Sequence, residues 1–227
     1  MPSAVKDFAR IPTGIPGLDK LIEGGFIKGS TILLSGGTGT GKTILSLQFL
    51  LEGLKRGENC MYISLEQKPD DVVNDVMRFG WNLEEYVKKK ELLVEYHDPF
   101  KITDITSPLI DKIKDHKIHR IVIDSTSVMG LYFKDAFEVR KQMFKLINGL
   151  KEVGVTSVLT AELPEENKKL SRFGVEEFVV DGVIILQFLG LGGKSSFNMQ
   201  VRKMRRTEHK KESYPFEIGK TGIKIQV

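Results

Sequence analysis

The segment GGTGTGKT, from Gly36 to Thr43, lies between the apolar run STILLS and a longer run, KTILSLQFLLEGLKRG, of helical periodicity. It matches the pattern G-x-x-x-x-G-K-[ST]. Glycines let consecutive backbone N–H groups converge on phosphate oxygens, and the N-terminus of the following helix adds partial positive charge. The segment therefore predicts a strand, a phosphate-binding loop and a helix, in that order. The alternative is a glycine-rich connecting turn.

The chemistry of such a loop assigns a role to each of its residues. Lys42 is expected to reach the β- and γ-phosphates of a nucleotide, and the Thr43 hydroxyl is expected to ligate Mg²⁺. The backbone of the whole loop is expected to cradle the phosphates, and its residues are Gly36, Gly37, Thr38, Gly39, Thr40, Gly41, Lys42 and Thr43.

Two acids follow predicted strands and are candidates to complete the site. A carboxylate is needed to hold Mg²⁺ through its water shell, and HRIVIDST places Asp124 at the carboxyl end of a predicted strand, where open α/β sheets bind ligands. Glu66 follows the predicted strand CMYISL and is a candidate to orient or polarise an attacking water. The alternatives are a turn-forming aspartate and a helix-capping or surface glutamate.

The order of apolar runs predicts the fold class. As far as about Gly174, short apolar runs alternate with segments of helical period, which predicts a mostly parallel sheet covered by helices on both faces. Beyond it, EEFVVDGVIILQF, SSFNMQVRKM, YPFEI and GIKIQV are typical of strands with no helices between them. They predict an antiparallel extension or closure at one edge of the sheet. No linker divides the chain, so we expect one domain over residues 1–227.

Composition restricts the function classes only in part. The chain has 34 basic and 30 acidic residues, and its net charge of +4 permits an anionic partner without requiring one. The single cysteine, Cys60, cannot form an intrachain disulfide. The most apolar run, VIILQFLGL, is too short to span a bilayer, and the N-terminus lacks the apolar core of a signal peptide. We therefore expect a cytoplasmic protein with no membrane association.

Several motifs together resemble the KaiC-type domains of the RecA/RadA ATPase superfamily. They are TGIPGLDKLIEGGFIKGSTILLSGGTGTGKT, ISLEQKPDDVVNDVMRFGW, VIDSTS, FGVEEFVVDGVIIL and KMRRTEHKKESYPFEI, and they cover nearly the whole chain. The resemblance implies a RecA-like P-loop core that binds ATP between neighbouring subunits of a ring or filament. With the predicted Mg²⁺ site, we expect ATP and Mg²⁺ in a homo-oligomer that is a hexameric ring. The resemblance also implies that Glu66 activates water. KaiC domains typically carry two adjacent glutamates there, whereas Gln67 follows Glu66 here, a departure that bears on the rate of hydrolysis.

The basic stretch near the C-terminus contains a K-x-R pair, Lys203 and Arg205. Residues two apart in a strand project to the same face, so this pair is predicted to point together, with Arg202, Met204 and Arg206 facing the other way. The resemblance implies that the pair reaches across the subunit boundary to the neighbour's γ-phosphate, where two cations would stabilise charge in the transition state. Spacing alone does not say which subunit's ATP the pair contacts.

The sequence leaves three functions open. The first is a KaiC-like ATPase that hydrolyses ATP to ADP and phosphate at inter-subunit sites of a ring. The second is a RadA paralogue that binds DNA and modulates homologous recombination, with single-stranded DNA or a recombinase as its partner and ATP as an assembly switch. Its motivation is the loop PEENKKLSRFG, which carries Lys168, Lys169 and Arg172, although its charges nearly balance. The third is a regulatory partner that binds ATP with negligible turnover, and Gln67 is its motivation.

Overall fold

The computed structural model describes residues 8–98, 106–131, 135–163, 170–190 and 197–227. The strands are β1 (Arg10–Ile11), β2 (Phe26–Ile27), β3 (Thr31–Gly36), β4 (Cys60–Ser64), β5 (Leu92–Tyr96), β6 (Arg120–Asp124), β7 (Thr156–Glu162), β8 (Gly182–Phe188), β9 (Phe197–Met204), β10 (Ser213–Gly219) and β11 (Gly222–Ile225). The helices are α1 (Leu18–Leu21), α2 (Lys42–Lys55), α3 (Pro69–Asp75), α4 (Leu83–Lys88), α5 (Thr106–Asp115), α6 (Ala136–Glu152) and α7 (Glu176–Val179), with 3₁₀ helices at Met77–Phe79 and Thr126–Leu131.

One large sheet carries the fold, with the strand order β11-β10-β9-β8-β3-β7-β6-β4-β5. The strands from β8 to β5 in that order are parallel, whereas β9, β10 and β11 continue from β8 as antiparallel neighbours. The predicted fold class, a mostly parallel α/β sheet with a C-terminal antiparallel extension, is therefore confirmed. A separate two-stranded sheet pairs β1 with β2.

Helices cover both faces of the parallel strands, which explains why those strands are apolar without alternation. Every residue of β3 and of β4 is buried. One core cluster joins the sheet to α2, α3 and α4, and the other joins it to α5 and α6. Within the described ranges, no helix is long and apolar enough to cross a membrane.

The prediction of a strand across all of EEFVVDGVIILQF was wrong at its beginning. Residues Glu176–Val179 form the short helix α7, and the strand starts only at Gly182. Local hydrogen bonds favour the turn: the Ser171 hydroxyl donates to Glu176 Oε2 at 2.5 Å, and the same oxygen accepts the Val175 N–H at 3.2 Å. These contacts outweigh the strand propensity of the aromatic and β-branched residues.

Gln48 ties the antiparallel extension to α2. Its amide donates to the carbonyl oxygens of Gly14 and Ile223, at 2.9 and 3.1 Å, and accepts the Ile223 N–H at 2.8 Å. The side chain is buried, so each of these bonds satisfies a group that water does not reach. The extension therefore packs directly against the helix that follows the glycine-rich loop.

Arg120, at the start of β6, is the largest fully buried side chain in the described part of the chain. Its Nε donates to Glu58 at 2.5 Å, and Nη1 donates to the carbonyl oxygens of Pro12 and Phe49 at 2.8 and 3.0 Å. The guanidinium also lies 4.8 Å from the Phe49 ring centroid. One buried cation thus joins β6 to α2, to the N-terminal segment and to the turn before β4.

Replacing Arg120 by methionine is expected to lower the free energy of unfolding by about 3 kcal/mol, because it leaves buried acceptors without a donor. Urea-induced unfolding followed by circular dichroism measures this loss. The matched control is Lys88→Met, which removes an exposed ion pair with Glu84 and should cost nothing measurable. Equal stability of the two variants would contradict the prediction.

Candidate functional site

The glycine-rich loop connects the end of β3 to the start of α2. Gly41 has φ +92°, a left-handed conformation that a side chain would strain, and it lies directly before α2. A Cβ at Gly36 would lie 2.6 Å from the Leu186 carbonyl oxygen, so the loop begins in close contact with β8. Thr40 donates its hydroxyl to the Gly37 carbonyl at 2.8 Å. The first N–H groups of α2 have no partner within the helix and are available to an anion.

Lys42 folds back over this loop. Its Nζ donates to the carbonyl oxygens of Gly36 and Gly37, both at 2.9 Å. Burial lowers the pKa of Lys42, and the nearby carboxylates of Asp124, Glu162 and Glu66 oppose that shift. A phosphate in the loop would offer this ammonium charged oxygen acceptors, which form stronger hydrogen bonds than neutral carbonyls do.

Asp124 accepts hydrogen bonds from hydroxyl groups on three different elements, at the carboxyl ends of the parallel strands. Thr43 of α2 donates to Oδ2 at 2.8 Å, Tyr62 of β4 donates to the same oxygen, and Thr160 of β7 donates to Oδ1. Burial, followed by the charge of Asp124, raises the pKa of Tyr62 well above its usual value, so this hydroxyl keeps its proton. The structure therefore brings together the two predicted metal-side residues, Thr43 and Asp124.

The donor set fits a magnesium ion that accompanies a nucleotide. A hydroxyl and a carboxylate are the hard oxygen ligands that Mg²⁺ prefers, and they are in direct contact here. Among the described residues, no group of three or more His, Cys, Asp or Glu side chains is arranged to hold a metal. A magnesium ion would thus take most of its ligands from phosphate and water.

Glu66 lies just beyond β4 and next to Asp124. Its Oε1 accepts the Ser125 hydroxyl at 2.8 Å. Partial burial raises the pKa of Glu66, the Ser125 bond lowers it, and the carboxylates of Asp124 and Glu162 raise it further. The alternative role as a helix cap does not hold, because the N-cap of α3 is Lys68 and no side chain caps that helix. Gln67 turns away, and its amide donates to Asp75 Oδ2 at 3.4 Å.

Glu162 is a third acid at this edge that the sequence reasoning missed. It is the last residue of β7, where it pairs with Gly36 of the loop, and its charge acts on both Lys42 and Glu66. The apolar run VTSVLTA predicts a strand over residues 155–161, which ends at Ala161, one residue before Glu162. An acid directly after a strand was the available signal, the same signal that identified Asp124.

Lys203 and Arg205 lie together, as predicted, but far from the loop of their own chain. Lys203 Nζ donates to the carbonyl oxygens of Glu177 and Val180 at 2.9 and 2.8 Å, and Arg205 Nη2 donates to that of Phe178 at 3.4 Å. Both side chains therefore rest on the backbone of α7. Met204 is buried in the core, as predicted for the opposite face.

The sheet register explains this separation. Lys203 pairs with Val183 near the start of β8, and Arg205 donates its N–H to the Asp181 carbonyl. Asp181 in turn donates its N–H to Thr31, the first residue of β3. The loop starts at the other end of that strand, roughly 16 Å away at the usual rise of a strand. The loop thus lies at the carboxyl ends of the parallel strands, and the K-x-R pair lies at their amino ends.

A bulge at Arg202 modifies the predicted alternation in β9. The pairing shifts between Val183 and Ile184, which are opposite Lys203 and Val201. Val201 and Met204, three residues apart, are consequently both buried in the same core. Simple alternation from Val201 would place Met204 on the other face, so the extra residue sets the direction of the K-x-R pair.

The loop proposed for DNA contact is described only in part. Lys168 and Lys169 lie outside the described residues. Arg172 forms an ion pair with Glu162 at 3.0 Å. The charge of this arginine is therefore compensated within the chain.

Comparison with known proteins places this geometry in a family. The family model described as "ATPase: KaiC" matches residues 11–227. The circadian clock oscillator protein KaiC of Parasynechococcus marenigrum is 36% identical, over 95% of this chain and 44% of its own length. The circadian clock protein KaiC3 of a Synechocystis species is 33% identical, over 95% of this chain and 45% of its own length. This chain thus spans less than half the length of these curated relatives.

A solved structure matches over its full length. The KaiC-like protein PH0186 from Pyrococcus horikoshii OT3 has a TM-score of 0.86 and 37% sequence identity, with 97% of this chain and 100% of that chain covered. The RecA-like class of the fold is thereby confirmed. The sequence match and the structural match lead to the same conclusion: this chain belongs to the KaiC ATPase family.

Proposed function

We propose that this protein hydrolyses ATP to ADP and phosphate at sites formed between neighbouring copies of the chain. One observation carries the proposal. Lys42, Thr43, Glu66 and Asp124 lie at one edge of the sheet, whereas the cations suited to a γ-phosphate, Lys203 and Arg205, are held at the opposite edge. The two sets act on one nucleotide only if they come from different subunits.

Each residue has a role that follows from its contacts. The loop backbone and Lys42 would bind the phosphates, and Thr43 with Asp124 would hold Mg²⁺, which would supply neutralising charge on the β- and γ-phosphates. Glu66 would orient the attacking water and accept its proton. A raised pKa makes this carboxylate a stronger base than an ordinary glutamate. The neighbour's Lys203 and Arg205 would stabilise charge on the phosphoryl group in transfer.

The arrangement requires a homo-oligomer. The phosphate loop and the K-x-R pair lie on different surfaces of the subunit, so the contact between subunits is heterologous and builds a closed ring or an open filament. The resemblance to KaiC domains favours a closed ring of six subunits. A homo-oligomer of this kind needs no further protein to complete its active sites.

Mixing two inactive variants tests the shared site. Lys42→Ala and Arg205→Ala should each lower turnover, by about 10³-fold for the arginine, since both remove charge that contacts phosphate. In an equimolar mixture, about a quarter of random junctions join an intact loop to an intact arginine, so roughly a quarter of wild-type turnover should return. Phosphate release measures this. A mixture no more active than its components would contradict inter-subunit sites.

The pH dependence of turnover tests Glu66. The base must be deprotonated, and its pKa is raised, so turnover should fall on the acid side at a higher pH than an ordinary glutamate would give. Ser125→Ala removes a hydrogen bond to the carboxylate and should move this acid limb to still higher pH. Ser213→Ala, on exposed β10, is the control and should leave the limb in place. An identical limb in all three proteins would argue against Glu66 as the base.

An ATP-binding protein with negligible turnover is the second candidate, favoured by the uncharged Gln67 beside Glu66. A single-turnover experiment with radiolabelled ATP separates the two functions. ADP that forms within one binding event supports the ATPase, and ATP that is retained intact supports the binding protein. Adding single-stranded DNA to the same assay at low and high salt tests a recombination role, because phosphate contacts weaken steeply with salt.

A further inference from the structure

The outer face of α6 carries aromatic side chains that the fold does not bury. Its inner face packs against the sheet through Val139, Met143, Leu146, Ile147 and Leu150. Phe137 and Phe144 lie seven residues apart, two turns, and 72% and 57% of their surfaces are exposed. An amphipathic helix that needed only one apolar face would carry polar residues here. Helix α6 therefore has a second apolar stripe.

This stripe continues onto α7 and reaches the K-x-R pair. Phe178 of α7 is 60% exposed, and the Arg140 guanidinium lies 5.8 Å from its ring centroid. A groove of about 470 Å³ is lined by these side chains together with Lys141 and Arg205. We call Phe137, Arg140, Lys141, Phe144 and Phe178 the aromatic–basic patch.

A surface of opposite charge lies beside Glu66, near the carboxyl ends of the parallel strands. Helix α3 begins three residues after Glu66 and exposes Asp70, Asp71 and Asp75. Met77, in the following 3₁₀ helix, is 57% exposed. From Glu66 to Arg78 there are four acids against two bases, Lys68 and Arg78. We call Asp70, Asp71, Asp75 and Met77 the acidic surface.

We propose that the aromatic–basic patch of one copy docks against the acidic surface of the next copy. The inference rests on the proposed function, because Arg205 must reach the neighbour's nucleotide. The patch adjoins Arg205 of the first copy. The acidic surface adjoins Glu66 of the next copy, which binds the nucleotide. Bringing Arg205 to the γ-phosphate therefore brings the two surfaces together.

Charge and chemistry both favour this partner. Arg140 and Lys141 face aspartates across the contact, and the exposed rings of the patch bury the Met77 side chain, a thioether that packs well against aromatic rings. Two patches docked on each other would oppose like charges, so a symmetric contact is disfavoured. The two surfaces are formed by different elements, α6 and α7 on one side and α3 with the following 3₁₀ helix on the other, so one subunit offers one of each. A heterologous contact of this kind links each subunit to the next, as a ring or a filament requires.

Charge reversals on each surface test the docking. The patch variant is Arg140→Glu with Phe144→Ser, and the surface variant is Asp70→Lys with Asp71→Lys. All four positions are outside the core and away from the loop, so the fold should persist, as circular dichroism checks. Each variant carries Glu66→Gln in the assembly assay, so that assembly is measured without hydrolysis. Analytical ultracentrifugation with ATP and Mg²⁺ measures size over a range of concentrations.

Each variant alone should need at least about ten times more protein than the parent to assemble, since it lacks one half of every junction. An equimolar mixture should assemble at a lower protein concentration than either variant alone, because the intact patch of one variant meets the intact acidic surface of the other, and the two reversed surfaces again oppose unlike charges. With Glu66 restored, the junctions of the mixture also join intact catalytic groups, so turnover should return. Lys114→Glu, an exposed charge reversal on α5, is the control and should assemble as the parent does.

Several results would overturn the proposal. A parent protein that stays monomeric with ATP, a patch variant that assembles normally, or a mixture that assembles no better than either variant alone would each do so. If the patch instead binds vesicles of anionic phospholipid while assembly of its variants is normal, its partner is a membrane surface. If assembly behaves as expected but no protein hydrolyses ATP, the proposed activity fails and the docking stands.

Discussion

The carboxylate of Asp124 is the contact on which the rest of the site depends. It accepts hydrogen bonds from hydroxyl groups on α2, β4 and β7, so the helix after the loop and two strands are fixed relative to β6. Its chain neighbour Ser125 holds Glu66 at 2.8 Å, which extends the same network to the proposed base. Because a carboxylate accepts but does not donate, donors must surround it. Thr43, Tyr62 and Thr160 supply them, and the loop is positioned as a consequence.

The parallel sheet also separates the phosphate loop from the K-x-R pair. β3 is buried along its whole length, and the loop leaves its carboxyl end while Asp181 holds its beginning. The Asp181 carboxylate accepts a hydrogen bond from Lys151 Nζ at 2.9 Å and lies 3.7 Å from the Arg205 guanidinium. A packed strand does not shorten, so β3 keeps Arg205 apart from the loop of its own chain. In the proposed ring, one rigid strand joins the phosphate loop of a subunit to the cations that serve the next.

The sequence was sufficient where the signal is local. The loop is a contiguous motif, and Asp124 and Glu66 follow from the rule that parallel strands bind ligands at their carboxyl ends. The position of Lys203 and Arg205 depends on non-local pairing of β9 with β8, and the bulge at Arg202 is invisible in a pattern of alternation. Helix α7 was missed because side-chain contacts outweigh propensity, and Glu162 because a strand end was placed one residue early.

The departure at Gln67 acts on charge rather than on the contacts of Glu66. Glu66 takes its hydrogen bond from Ser125, and Gln67 directs its amide to Asp75 on α3. A glutamate at this position would place a second negative charge beside Asp75, where a glutamine instead supplies a donor. The amide therefore limits the repulsion within a surface that already carries Asp70, Asp71 and Asp75. Gln67 therefore contacts α3 rather than the proposed base. Its main effect is on the charge of the exposed acidic surface, and its effect on Glu66 is indirect.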